Sequence, residues 1–183
     1  MNNDVVSTST QIPWAAVITA LAGVIGALGG AFLANFFAEK RWDKQIEHER
    51  GKEHEALMRV KGEETYLTLK RWGKELYFFN SSRIGHVQGV ISLDEVNKTI
   101  DEKVSPDTHV KLDVLFAVYF SELSQDLESI HRQTNELNKC FHKYSQLIPN
   151  LPGAEYMKKE AAVYERQLEL LERKLRIKLK EFI

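Results

Sequence analysis

Six histidines and one cysteine are the side chains of this 183-residue chain best suited to nucleophilic or metal chemistry. Cys140 is followed by Phe141 and His142, and a thiolate activated by an imidazole is the nucleophile such residues can make. Near neighbours on a helix point apart, so no Cys140–His142 pair is expected. A lone cysteine also builds neither an internal disulfide nor, by itself, a structural zinc site. Cys140 therefore reads as a small core residue and fits a reducing compartment. Some helical RNA-cleaving families use Arg and His at a fixed short spacing. Arg50 with His54, Arg83 with His86 and Arg132 with His142 all miss that spacing.

The histidines do no better as metal ligands. His48 and His54 do not share a helix face. His131 and His142 return to one face, but no carboxylate or thiolate partner can be named for them. The chain has no Gly-rich phosphate loop, no HExxH and no GxSxG elbow. No catalytic residue, metal or cofactor is expected, and the reading is of a binding protein, not an enzyme. The 25 Lys and Arg against 26 Asp and Glu leave a net charge of −1, which argues against general nucleic-acid binding. The basic tail, Arg173, Lys174, Arg176, Lys178 and Lys180, reads as complementing a helix C-terminal dipole and solvating one face. Contact with anionic lipid or nucleic acid is the weaker reading.

These residues belong to two unlike parts of the chain. Residues 12–38 contain no Asp, Glu, Lys, Arg or His. About 27 helical residues at about 1.5 Å each reach about 40 Å, enough to cross a hydrocarbon core of about 30 Å with some tilt. Pro13 suits a first-turn position after a cap at Thr10 or Gln11. Trp14 and Trp42 suit the two interfaces. A cleaved signal peptide wants a basic n-region and a shorter apolar stretch, whereas the polar tail 1–11 has Asp4 as its one charged side chain. Lys40, Arg41 and Lys44 follow the span and no Lys or Arg precedes it. The positive-inside rule then puts the N-terminus outside and the rest in the cytoplasm of a bacterial inner-membrane protein.

The expected span carries small residues at helical spacing. Thr19, Gly23, Ala27 and Ala31 form one stripe. Ala22, Gly26, Gly30 and Ala34 form its neighbour, with a GxxxG pair at Gly26 and Gly30. In lipid such faces let helix backbones approach and gain dispersion contacts. Thr19, Gly23, Gly26, Ala27, Gly30 and Ala31 are thus the expected self-association residues. The bilayer and a second copy are the expected partners, with room for a cytosolic protein and no specific nucleic acid.

The rest of the chain predicts an all-α fold. Residues 39–56 form a charged juxtamembrane helix weakened at Gly51. A helical bundle follows over 57–183. Leu69, Trp72, Leu76 and Phe79 predict a buried helix face, ended by Asn80-Ser81-Ser82, with a loop to residue 91. Ser92 and Glu95 form a capping-box pattern ahead of Leu93, Val96, Ile100 and Val104. Ser105-Pro106-Asp107 predicts a second start, with Ser105 as the cap. Leu112, Phe116, Tyr119 and Leu123 share a face. Leu127, Ile130, Thr134, Leu137, Phe141, Tyr144 and Ile148 extend it, so the spacing admits one helix over 106–148. Pro149 to Gly153 ends it. A last helix from Ala154 carries Met157, Ala161, Tyr164, Leu168, Leu171, Leu175 and Phe182 in a seven-residue rhythm, with Leu179 covering for Lys178. A short turn between two long helices predicts an antiparallel hairpin.

In layout the chain resembles a loosely defined group of small single-pass bacterial membrane proteins. The resemblance rests on the Gly/Ala-rich stretch from Gly23 to Gly30, the charged run from Lys40 to Glu55, and Tyr119-Phe120-Ser121-Glu122-Leu123. Many members have proline where Ser121 stands, which bears on a helix break there. The group implies an anchored helical domain and no particular activity. A few similarly built proteins are membrane accessories of phage-defence systems, some of them oligomeric pores. Exposed apolar surface left on the bundle would instead favour a monomeric tether for one partner.

Overall fold

The computed structural model describes residues 13–182. The tail 1–11, the expected cap at Thr10 or Gln11, residue 12 of the span and residue 183 lie outside the described residues. The described residues form helices joined by short turns, without a strand. In order they form α1 (Trp14–Val87), α2 (Leu93–Lys103), α3 (Pro106–Tyr119), a 3-10 turn (Ser121–Leu123), α4 (Ser124–Tyr144), α5 (Leu151–Leu179) and a last 3-10 turn (Lys180–Phe182). The chain divides into two units, Met1–Lys52 and Glu53–Ile183.

In the first unit α1 begins just after Pro13, whose carbonyl accepts from Val17 N–H at 3.3 Å. The apolar stretch is long and uncharged enough to cross a membrane. Thr19 does not break it, because its hydroxyl donates to the Ala15 carbonyl at 2.8 Å. The charged residues that follow are almost all exposed.

In the second unit Leu69 and Trp72 of α1 are buried, Leu76 packs half-buried against the core, and Phe79 is half-buried. Asn80-Ser81-Ser82 does not stop this helix. Ser81 and Ser82 bond back to the carbonyls of Phe78 (3.3 Å) and Phe79 (3.1 Å), and burial of Ile84 and Val87 favours two further turns. The helix ends at Val87, and Gly89 just beyond it takes φ at +78°. Val90 N–H reaches the Gly85 carbonyl and Gly89 N–H that of His86, a Schellman ending in which glycine escapes a Cβ clash.

Local signals set the next two starts. The Ser92 hydroxyl accepts from Glu95 N–H at 3.2 Å, and the Glu95 carboxylate accepts from Ser92 N–H at 2.7 Å. Ser105 stands at the cap of α3, but its side chain makes no cap bond; Pro106 opens the first turn.

The segment 106–148 is not one helix. Phe120 leaves helical geometry (φ −136°, ψ 45°) and is fully buried, so the chain turns through Ser121–Leu123 without a proline. Helix α4 then buries Leu127, Ile130, Leu137 and Phe141 and ends at Tyr144, leaving Ile148 beyond it and exposed. Helix α5 starts earlier than Ala154. Asn150 caps it by accepting from Gly153 N–H at 2.9 Å, and Pro152 sits in the first turn, where its missing N–H costs nothing.

The seven-residue rhythm of α5 holds from Met157 to Leu175, all six of whose named members are buried. Leu179 and Phe182 pack on the core beyond it. Along α5 lie Asp126, Gln133 and Tyr144 of α4, against Lys174, Glu160 and Tyr156 in turn. Helix α1 also packs on α5. A Cβ at Gly62 would stand 1.9 Å from Leu179 Cδ2, and one at Gly73 would stand 2.5 Å from Leu168 Cδ2. Glycine at these two positions lets the helices approach closely.

Candidate functional site

The six expected self-association residues, Thr19, Gly23, Gly26, Ala27, Gly30 and Ala31, are all exposed on α1. Nothing lies within 4 Å of a Cβ built at Gly23, Gly26, Gly29 or Gly30. The space a close helix partner would need is therefore open. The large apolar side chains around these faces are uncovered as well, Trp14 at 70% and Phe32 at 72% exposure.

The other expected chemistry is mostly accounted for by structure. Burial is the main cause that raises the Cys140 thiol above its ordinary pKa, the opposite of what an activated nucleophile needs. Arg83 lies between the rings of Phe79 and Phe141, 3.8 and 4.7 Å from their centroids, and donates to Asn138. Burial pushes it down to about 10. His86 Nδ1 meets the Ile91 carbonyl at 3.0 Å and supports the turn after α1. Arg50, His54, Arg132 and His142 are exposed. Of the basic tail, Lys174 pairs with Asp126 at 2.7 Å, and Lys178 with Glu181 at 2.7 Å and Glu122 at 3.6 Å. Among the described residues no group of three or more His, Cys, Asp or Glu is placed to hold a metal.

The bundle has a cleft of about 560 Å³ that sequence reasoning missed, set among α1, the α2–α3 junction, α3 and α4. Glu75 is among the residues that line it. One carboxylate oxygen, Oε1, accepts from the Thr108 hydroxyl and from Arg71 Nε, each at 2.9 Å. The other, Oε2, is buried and without a partner. Opposite, His131 Nε2 stands 3.7 Å from Asp113 Oδ1, too far for a hydrogen bond, and is also buried and unpartnered. Burial, outweighing Asp113, holds this imidazole below its ordinary pKa, so it is neutral near pH 7. Its ring packs edge-on against Trp72, centroids 5.2 Å apart.

No family model, curated protein or solved structure matches the chain. The cleft's chemistry must therefore be read from its own atoms. Glu75, Asp113, His109, His131, Asn135 and Asn138 line it, with Trp72, Leu76 and Phe79 as the apolar wall, and neither Lys nor Arg does. One signal was present in the sequence: Glu75 falls between Trp72 and Leu76, at the edge of an apolar stripe where a charge needs a reason.

Proposed function

We propose that this chain is a single-pass protein of a bacterial inner membrane that self-associates through the small-residue faces of α1. The bundle of residues 57–183 is then its cytosolic binding part, with α4 and α5 as an antiparallel hairpin. The observation that carries the reading is the uncharged apolar part of α1 and its full exposure. Trp14, Ile18, Leu21, Val24, Ile25, Leu28, Phe32, Leu33, Phe36 and Phe37 are all uncovered. Leaving ten such side chains in water rather than in an apolar medium costs on the order of 20 kcal/mol. A core helix of a soluble domain would bury them; lipid covers them without a protein partner. Lys40, Arg41 and Lys44 favour a cytoplasmic bundle. The hairpin reading is supported by the pairs Asp126–Lys174, Gln133–Glu160 and Tyr144–Tyr156, in which α5 numbers fall as α4 numbers rise.

In lipid there is little hydrophobic force between helices, so association depends on close packing. Gly26→Ile should block that approach, whereas Leu28→Ile, placed toward lipid, should not. Crosslinking in membranes and sizing in detergent read the difference. An oligomer unchanged by Gly26→Ile removes this interface, and a monomeric wild type removes self-association and the oligomeric pore with it.

A second reading, the monomeric tether, is favoured by Val110, Val114 and Val118. They are exposed at four-residue spacing along α3 and form an apolar strip that one partner protein could cover. An enzyme reading finds no support in the raised thiol of Cys140.

A further inference from the structure

We propose that the solvent side of α5 docks an acidic amphipathic helix of a partner protein, whose apolar seam lies along the row from Tyr156 to Ile177 and whose carboxylates meet the row of bases from Lys159 to Lys180. This surface is distinct from the strip on α3 and does not depend on the membrane reading.

Helix α5 repeats every seven residues on two faces. One is the core row from Met157 to Leu175. On the other, Tyr156, Val163, Leu170 and Ile177 recur at a strict interval of seven and are 43% to 65% exposed. The first three each precede a buried residue, Met157, Tyr164 and Leu171, and so lie about 100° around the helix from it. Three residues after each member stands a base: Lys159, Arg166, Arg173 and Lys180, its neighbour on the helix surface. All four bases are exposed, and among the described residues none is within ion-pair distance of an acid. Other lysines of the same helix are paired: Lys158 with Glu155, Lys174 with Asp126 and Lys178 with Glu181. Single apolar residues at a surface are ordinary. A row of four in register with a row of unpaired bases, about 32 Å long at about 1.5 Å per residue, is a patterned surface.

Its charge and width select what covers it. A bilayer takes a broad apolar face, whereas this row is one residue wide, with Glu160, Gln167 and Lys174 along its other edge. A nucleic acid would meet the bases and leave the apolar row in water. The α5 of a second copy would set bases against bases. The chain also lacks a matching acidic row: at seven-residue spacing its acids go no further than pairs such as Asp94 with Asp101 and Glu165 with Glu172. A helix with an apolar residue every seven and acids beside them satisfies both rows at once, as flanking charges choose partners in coiled coils.

Fluorescence anisotropy tests this with the full chain in net-neutral phosphatidylcholine nanodiscs. The probe is a labelled helical peptide of about four heptads, with Leu along one seam and Glu on both flanks. The comparisons, also labelled, are the same peptide with Lys for Glu, a scrambled peptide of the same composition, single-stranded DNA, glycerophosphoserine as a lipid headgroup, and a peptide of residues 154–182 for a second copy. We expect saturable binding of the Glu peptide alone. Val163→Ser with Leu170→Ser should weaken it at least about tenfold. Arg166→Glu with Arg173→Glu should do the same and shift the preference to the Lys peptide. All four positions are exposed, so both double variants should melt as the wild type does; if one fails to fold, the other decides. No saturable binding of the Glu peptide up to about 100 μM protein overturns the proposal. Equal or tighter binding of any comparison to the wild type, or Glu-peptide binding that survives either folded double variant, overturns it too.

Discussion

Replacing Gly153 with alanine should loosen the joint between α4 and α5. Gly153 lies in the first turn of α5, where its N–H donates to the Asn150 side chain. A Cβ there would stand 2.6 Å from Tyr144 Cγ and 2.8 Å from both Cβ and Cδ1 of the same residue. These atoms are the root of a ring, not the free end of a flexible chain. Tyr144 also packs edge-on against Tyr156, centroids 6.0 Å apart, so the ring cannot yield without disturbing a second contact. Overpacking of this kind costs about 1–3 kcal/mol. The gain in helix propensity from Gly to Ala is at most about 1 kcal/mol and smaller in a first turn. The net loss is then about 1–2 kcal/mol, a fall in Tm of roughly 4–8 °C for a bundle of this size. Gly51→Ala is the control: it lies in a helix with nothing within 4 Å of its Cβ and should gain up to about 1 kcal/mol. Thermal melts of the full chain in one detergent read both. Tyr144→Ala should remove most of the Gly153→Ala penalty in a double-mutant cycle. A Gly153→Ala protein as stable as wild type, or a penalty untouched by Tyr144→Ala, would refute the reasoning.

Tyr164, pushed up to about 12 mainly by burial, should be the last phenol to ionise. Phenolate absorbance should show its step well above the ordinary range, and Tyr164→Phe should delete that step; a folded wild type in which every tyrosine ionises near 10 would contradict this. Its stabilising effect, complete below about pH 10, fades as pH rises toward about 12. The depressed Arg83 acts with the opposite sign, since its buried charge is relieved above about pH 10, so absorbance and not stability is the readout to use. A reporter fused at the C-terminus should behave as cytoplasmic in a bacterium, and a periplasmic signal would reverse the orientation drawn from Lys40, Arg41 and Lys44.

What could be read from the sequence follows the range of the forces involved. The rhythm from Met157 to Leu175 was legible because helix geometry places those residues on one face whatever packs there. The Ser92–Glu95 box was legible because both partners lie within one turn. Helix ends were harder. Asn80-Ser81-Ser82 looks like a stop, yet the two hydroxyls satisfy themselves on carbonyls behind them, and a buried Val87 decides the length. Pro152 and Gly153 look like the end of one helix and instead open the next, since the first turn of a helix tolerates both. The break at Phe120 needs the core that encloses its ring, which no local pattern reveals. The cleft was illegible for the same reason. Glu75, Asp113 and His131 come from three helices, and only the fold makes them neighbours. The small-residue stripe is the reverse case: its pattern is plain in the sequence, and its meaning depends on a second helix.

Membrane anchoring by α1 is the claim on which the functional account rests, and alkaline carbonate extraction of membranes carrying the full chain tests it most directly. The apolar stretch of α1 should hold the protein in the pellet, as for any helix that crosses lipid, with detergent needed to release it. Full-length protein in the carbonate supernatant would contradict the account.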